Sequence, residues 1–283
     1  MAVQLPGPIV TPAWLAEHLG APGLKLVDAS WYLSAEARDP AAEFKAGHIE
    51  GAVFFDIDGI KDPDNPLPHM LPNALLFAKA MGDLGLSSRN AIIVYDGTGM
   101  FSAPRAWWSF RTFGHDNVAV LDGGMPAWRA AGNGTVSGAA TPEPAIFNAS
   151  FRPELVRSLE QIRDNLANGG DQVVDARGSG RFLGVDPEVR PGIRSGHIPG
   201  SANLPYTELI NSTSNSLLPA DKLAAAFSAR GVDLARPTVT SCGSGITAAI
   251  LALAMYICGH SDAAVYDGSW TEWGGHDDTP IDT

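Results

Sequence analysis

Residues 237–255 read PTVTSCGSGITAAILALAM. The β-branched run Val239-Thr240 stops at Ser241-Cys242, Gly243 and Gly245 follow, and an Ala-rich apolar segment with helical character begins near Ile246. The order is strand, tight loop, helix, with one cysteine at the turn. Glycines let such a loop curl until several backbone N–H groups point inward as an anion nest. The helix that follows adds the positive end of its dipole at the same spot. Surroundings of this kind favour the thiolate, the nucleophilic form of cysteine. The stretch predicts an α/β enzyme with a covalent role for Cys242. On the loop alone, a core cysteine that merely ends a buried strand remains the competing reading.

Working outward, the chain repeats itself. LVDA at 26–29 matches VVDA at 173–176, and KAGHIEGA at 45–52 matches RSGHIPGS at 194–201. AIIVYDGTG at 91–99 matches TVTSCGSG at 238–245, and VLDGGMPAW at 120–128 matches VYDGSWTEW at 265–273. The offsets of 147, 149, 146 and 145 residues hardly drift, which marks a tandem duplication of one α/β domain. Short β-rich runs at 25–29, 52–55, 91–95 and 118–121, then 172–176, 238–241 and 263–266, alternate with helical stretches such as LFAKAMGDLGL and KLAAAFSARG. Alternation of this kind predicts a doubly wound parallel sheet in each half, with ligands beyond the carboxyl ends of the strands, where Asp96 and Cys242 fall. A Gly/Pro-rich join from Gly132 to about Pro153 separates the halves, giving domains at 1–140 and 158–283 with a linker at 141–157. Residues 56–74 and 178–193 read as insertions without helix or strand period.

The duplication sorts residues. Features kept in both halves serve the fold: His48 and His197, Asp28 and Asp175, Trp128 and Trp273. Cys242, by contrast, faces Asp96 in the first half, so that half is expected to be catalytically silent. Arg181 and Arg190 have no basic counterparts in the comparable segment, although Arg38 lies nearby.

Composition narrows the function further. The formal charge is −12, from 19 basic and 31 acidic residues, the wrong sign for a duplex or membrane-surface binder. No apolar run reaches the roughly 18 residues of a membrane span. The N-terminal MAVQLPGPIVTP lacks the basic region and apolar core of a secretory signal. Cys242 and Cys258, at the two ends of the expected helix, would lie about 20 Å apart, beyond the roughly 7 Å between Cα atoms that a disulfide spans. Unpaired cysteines fit a reducing, cytoplasmic setting. The seven scattered histidines and two cysteines give no metal-ligand spacing, and no cofactor motif is present.

The duplication, the DAR…GRF…R…GHIPG block and the CGSGITA loop together resemble the tandem-domain sulfurtransferases, the rhodanese and 3-mercaptopyruvate sulfurtransferase family, over residues 5–275. The loop is closest to the mercaptopyruvate branch, which carries Cys-Gly-Ser/Thr-Gly-Val-Thr-Ala. Thiosulfate-preferring members carry Arg and Lys where this chain has Gly243 and Ser244. The resemblance implies two rhodanese-like domains, each an open, mostly parallel sheet with helices on both faces. It implies Cys242 as nucleophile, Arg181 and Arg190 as the carboxylate-binding pair, and a loop of Gly243, Ser244, Gly245, Ile246 and Thr247 around the substrate. It also implies a relay of Ser244 with His69 and Asp58, which stand at matching spacing in FFDIDGIKDPDNPLPHML. The expected cycle takes sulfur from 3-mercaptopyruvate as a Cys242 persulfide and passes it to a thiol, thioredoxin or cyanide.

Chemistry supports that set. A guanidinium can hold a carboxylate with two parallel bonds, and histidine suits proton transfer near neutrality. The positive charge is expected on a segment away from the loop, leaving the substrate's sulfur to reach Cys242. The competing functions are thiosulfate sulfurtransferase, a persulfide carrier without small-molecule substrate, a cysteine phosphatase and a nucleotide-binding oxidoreductase. A phosphatase needs an arginine six residues after the cysteine, where Ala248 stands; a nucleotide enzyme needs a G-x-G-x-x-G after a strand.

Overall fold

The computed structural model describes residues 3–283. Two compact units make up the chain. The first comprises the chain through Asp62, Leu71–Arg152 and Ser212–Leu217; the second comprises Pro63–Met70, Pro153–Asn211 and Leu218–Thr283.

The first unit runs β1 (Ile9–Val10), α1 (Pro12–His18), β2 (Leu24–Asp28), α2 (Pro40–Ala46), β3 (Ala52–Phe54), α3 (Ala74–Asp83), β4 (Ala91–Tyr95), α4 (Ala103–Thr112), β5 (Val118–Leu121) and α5 (Gly124–Ala130). Its helix starts follow local chemistry. Thr11 and Asp39 accept the amides of Trp14 and Ala42 through their side chains, and Pro12 and Pro40 occupy the first turn. The strands pair in the order β1-β5-β4-β2-β3, all parallel. Phe77, Phe110, Phe113 and Phe147 stack and edge-pack in its core.

The second unit repeats the plan: β6 (Val156–Arg157), α6 (Leu159–Asn168), β7 (Gln172–Asp175), α7 (Ser179–Phe182), β8 (Ala202–Asn203), α8 (Ala220–Ala229), β9 (Thr238–Ser241), α9 (Ala248–Ile257), β10 (Ala264–Tyr266) and α10 (Ser269–Trp273). Its order, β6-β10-β9-β7-β8, is strand for strand that of the first sheet, and again all parallel. Helices cover both faces of each sheet. Every residue of α9 from Ala248 to Met255 is buried, as expected of a helix that is apolar all round. Burying each of its large side chains is worth about 1.5–3 kcal/mol. No helix of the described residues is long and apolar enough to cross a membrane.

Every strand expected from the sequence is present. The edge strands β1, β6 and β8 were not expected, because two residues carry no period. Within 178–193 the single turn α7 also escaped notice. The paired framework residues behave alike in both halves. His48 Nδ1 meets the Phe44 carbonyl at 2.8 Å and its ring stacks on that phenyl; His197 does the same with Phe182. Trp128 donates to the Gly134 carbonyl and Trp273 to that of Pro280. Asp28 and Asp175 each accept the backbone N–H two residues on, of Ser30 and Arg177.

The loop after β4 closes around a buried carboxylate. The Asp96 carboxylate, 1% exposed, accepts backbone N–H bonds from Thr98, Gly99, Phe101, Ser102 and Ala103 at 2.5–3.0 Å. This is an anion nest filled by the chain's own side chain. Asp96→Ala would strand those donors, and we expect it to cost about 3–5 kcal/mol, with Asp96→Asn costing less. Urea unfolding read by tryptophan fluorescence measures both.

Asp28 predicts a pH dependence. Burial, opposed by the Ser30 hydrogen bonds, raises its pKa from 3.8 to about 6. The native state thus holds this proton more tightly than the unfolded chain. The residue's burden on stability grows as pH rises from 3.8 to about 6 and vanishes below that window. Asp28→Asn should gain about 2–3 kcal/mol relative to wild type on going from about pH 4 to about pH 8, measured by unfolding at both. An equal difference at the two pH values would refute it.

Candidate active site

Parallel pairing sets Ser241 of β9 beside Asp175 of β7, and the Ala176 N–H donates to the Ser241 carbonyl at 2.8 Å. The two strand ends therefore release Cys242 and Arg177 side by side at the carboxyl edge of the sheet, the usual ligand side of such folds. Cys242 is 2% exposed. Its N–H donates to Ser269 Oγ at 3.2 Å, and its carbonyl accepts the Trp270 N–H at 2.9 Å. The Gly245 N–H donates to Cys242 Sγ at 3.1 Å. Gly245 reaches that position with φ of 79°, a left-handed conformation that glycine takes without penalty. In the first half Gly99, at φ of 90°, points its N–H at Asp96 Oδ1 in the same way. One loop conformation thus serves a carboxylate in one unit and a sulfur in the other. The regular helix starts at Ala248, two residues later than the sequence suggested, after the bend at Ile246-Thr247.

The arginines are near the loop, which corrects the expectation that they stand away from it. Arg181 lies in α7, and its Nη2 is 3.2 Å from where a Cβ on Gly243 would be. Gly243 leaves the space that this guanidinium occupies. Arg190 Nη1 approaches Thr271 Oγ1 at 3.4 Å, and Thr271 in turn donates to the Gly243 carbonyl at 2.6 Å through Oγ1 and at 2.9 Å through its N–H. Both arginines therefore converge on Gly243 from a segment some fifty to sixty residues earlier in the chain. Arg181 Nη2 also bonds Glu188 Oε2, while its Nε is buried without a hydrogen-bond partner among the described residues.

Behind them is a buried ionic network that the sequence did not reveal. Arg177, 1% exposed, donates through Nε and Nη2 to Asp175, through Nη2 to the Gly196 carbonyl, and through Nη1 to Glu188 Oε1 at 2.8 Å. Its guanidinium also lies over the Trp270 ring, 4.3 Å from the centroid. Ser269 and Thr271 were missed as well. Ser269 has φ of 51°, where its counterpart Gly124 has 54°; a serine tolerates that conformation here while its hydroxyl accepts from Cys242 and donates to the Tyr266 carbonyl. Comparing the halves position by position at 124–126 and 269–271 would have exposed both, as it would Arg177 against Ser30.

The remaining candidates divide between the units. Ser244 and Ile246 are buried in the loop, and Thr247 caps it before α9. His69, 4% exposed and at φ of 62°, lies in Pro63–Met70 and belongs to the second unit. Asp58 belongs to the first unit, where its Oδ2 accepts from Trp31 Nε1 at 2.8 Å.

Comparison with known proteins agrees with this architecture. The Rhodanese-like domain family matches residues 11–131 and 158–276. The 3-mercaptopyruvate sulfurtransferase of Mus musculus is 46% identical over 96% of this chain and 93% of its own length. Thiosulfate/3-mercaptopyruvate sulfurtransferase 1 of Arabidopsis thaliana is 43% identical over 100% of this chain and 80% of its own. The crystal structure of the Escherichia coli 3-mercaptopyruvate sulfotransferase aligns with a TM-score of 0.84 at 41% identity, covering 93% of this chain and 99% of that one. With both halves matched, the chain belongs to the rhodanese family, as a tandem pair of rhodanese-like domains.

Proposed function

We propose that the protein is a 3-mercaptopyruvate sulfurtransferase working through a Cys242 persulfide. The observation that carries this reading is the arrangement around Gly243: the loop itself brings no cation, while Arg181 and Arg190 approach it from outside. A donor with a carboxylate at one end and sulfur at the other suits that arrangement. Its carboxylate meets the guanidiniums and its sulfur reaches Sγ. Relatives bearing both donor names make thiosulfate the alternative substrate.

In the first half-reaction Cys242 thiolate attacks the donor sulfur. An S–S bond forms, the C–S bond breaks with its electron pair left on carbon, and the resulting pyruvate enolate takes a proton. Ser244, His69 and Asp58 form the proposed proton relay, and the left-handed, buried His69 supports a functional rather than a loop role. The persulfide charge is held by loop N–H groups, beginning with that of Gly245. Gly243, Ser244, Gly245, Ile246 and Thr247 line the donor. In the second half-reaction a thiol, thioredoxin or cyanide takes the outer sulfur and Cys242 leaves as thiolate. The first domain is catalytically silent because Asp96 already fills its nest. Two free cysteines fit a cytoplasmic setting.

Cys258 serves as the internal control. Burial pushes its thiol pKa up, and its Sγ faces the Ala220 carbonyl at 3.6 Å. Intact mass after donor without acceptor should show one added sulfur, kept in Cys258→Ala and lost in Cys242→Ala. An adduct surviving Cys242→Ala would overturn the assignment.

Donor identity is tested by initial rates with 3-mercaptopyruvate and thiosulfate in parallel, using one acceptor. We expect wild-type kcat/KM to favour 3-mercaptopyruvate. Arg181→Lys and Arg190→Lys should lower that value by about 10- to 150-fold, with a smaller loss for thiosulfate, since a point charge loses the planar two-bond grip. A wild-type preference for thiosulfate sinks the donor assignment.

A further inference from the structure

Glu188 occupies an unusual position for a carboxylate. Its side chain is 4% exposed, and it accepts from two guanidiniums at once, Arg177 Nη1 on Oε1 and Arg181 Nη2 on Oε2. The two arginines are not equivalent. Arg177 is immobilised by Asp175, the Gly196 carbonyl and the Trp270 ring. Arg181 is 24% exposed, and among the described residues Glu188 is the hydrogen-bond acceptor of its side chain. Glu188 therefore bridges the fixed Arg177 at the end of β7 to Arg181, whose guanidinium fills the space that a side chain at position 243 would take.

The charges can be assigned in the same way. Asp175 matches Arg177, leaving Glu188 to offset Arg181. We propose that Glu188 is a positioning and donor-selecting residue, holding Arg181 against the Cys242 loop and cancelling enough positive charge there to favour a singly charged donor over a compact dianion.

This proposal rests on the sulfurtransferase reading and deepens it. A carboxylate donor brings one negative charge and thiosulfate brings two. Even at the dielectric of water, about 80, an extra negative charge on the order of 7 Å from Glu188 is disfavoured about threefold in binding, and burial of the site raises that factor. Removing the Glu188 charge while keeping its shape should release that discrimination. The orphaned Nε of Arg181 adds to the expectation, since a guanidinium that loses its tether turns toward other acceptors.

The test uses the full-length protein with Glu188→Gln and Glu188→Asp, both donors and one acceptor. Glu188→Gln is expected to raise the ratio of kcat/KM for thiosulfate over 3-mercaptopyruvate by about threefold or more relative to wild type. Glu188→Asp keeps the charge but is one methylene too short to bridge both arginines. It should shift the ratio less than Glu188→Gln does, while KM rises for both donors. A folded Glu188→Gln with an unchanged ratio, whatever its absolute rate, overturns the proposal. So does a Glu188→Asp whose ratio moves as far as that of Glu188→Gln. If thermal melts show that Glu188→Gln does not fold, a Glu188→Asp whose ratio rises about threefold or more overturns the proposal. The ratio is read against wild type, so it stands or falls whichever donor the wild type prefers. A wild-type preference for thiosulfate would reject the donor assignment above and leave Glu188 still to be judged.

Discussion

A loop that turns several backbone N–H groups toward one buried point needs an anion there. Each N–H taken from water without an acceptor costs about 1–3 kcal/mol, and several together would undo the fold of the loop. The first unit answers this requirement with Asp96, five of whose hydrogen bonds are backbone N–H donors. The second unit places Cys242 at the same position and gives its sulfur the N–H of Gly245. The strand order and the buried helix α9 serve to present that loop at the carboxyl edge of the sheet.

The second dependence is ionic. Replacing a buried salt bridge with apolar side chains is often neutral or stabilising, so stability is a weak reason for the Asp175–Arg177–Glu188–Arg181 network. Position is a better one. Arg177 has no freedom left, and what it holds, it holds at a fixed distance from the end of β7. Since β7 and β9 are paired in register, that distance is also fixed relative to Cys242. The first unit has Ser30 in place of Arg177, and among the described residues Asp28 there has hydroxyl and amide partners. Its raised pKa is the consequence: a buried carboxylate without a cation prefers its proton.

Much of this was legible in the sequence, for physical reasons that can be named. Strands β4, β5 and β9 were read to the residue, because each is a buried run whose ends coincide with turn-forming residues. The duplication located Cys242 by contrast with Asp96. Edge strands of two residues could not be seen, since neither face nor period exists at that length. Glu188 was hidden for a different reason. It stands two residues before Arg190, but what makes it matter is being covered and lying between two guanidiniums, and neither property is local in sequence. The same holds for the closeness of Arg181 to Gly243, which crosses about sixty residues of chain.

The two halves act as controls for each other. Where the backbone conformation is shared and the side chain differs, the difference belongs to chemistry rather than to the frame. Gly124 and Ser269 have nearly the same left-handed φ, yet only serine can supply a hydroxyl to the Cys242 amide. Gly99 and Gly245 aim the same N–H at different acceptors. Ser30 gives way to Arg177, and Pro126 to Thr271, whose hydroxyl ties Arg190 to the loop. All these changes lie at the carboxyl edge of one sheet and around one cysteine. A frame that merely drifted after duplication would scatter its polar gains over the surface. Gains gathered at a single strand end, each bonded to the loop or to a residue that touches it, are what a site for an anionic, sulfur-bearing substrate requires.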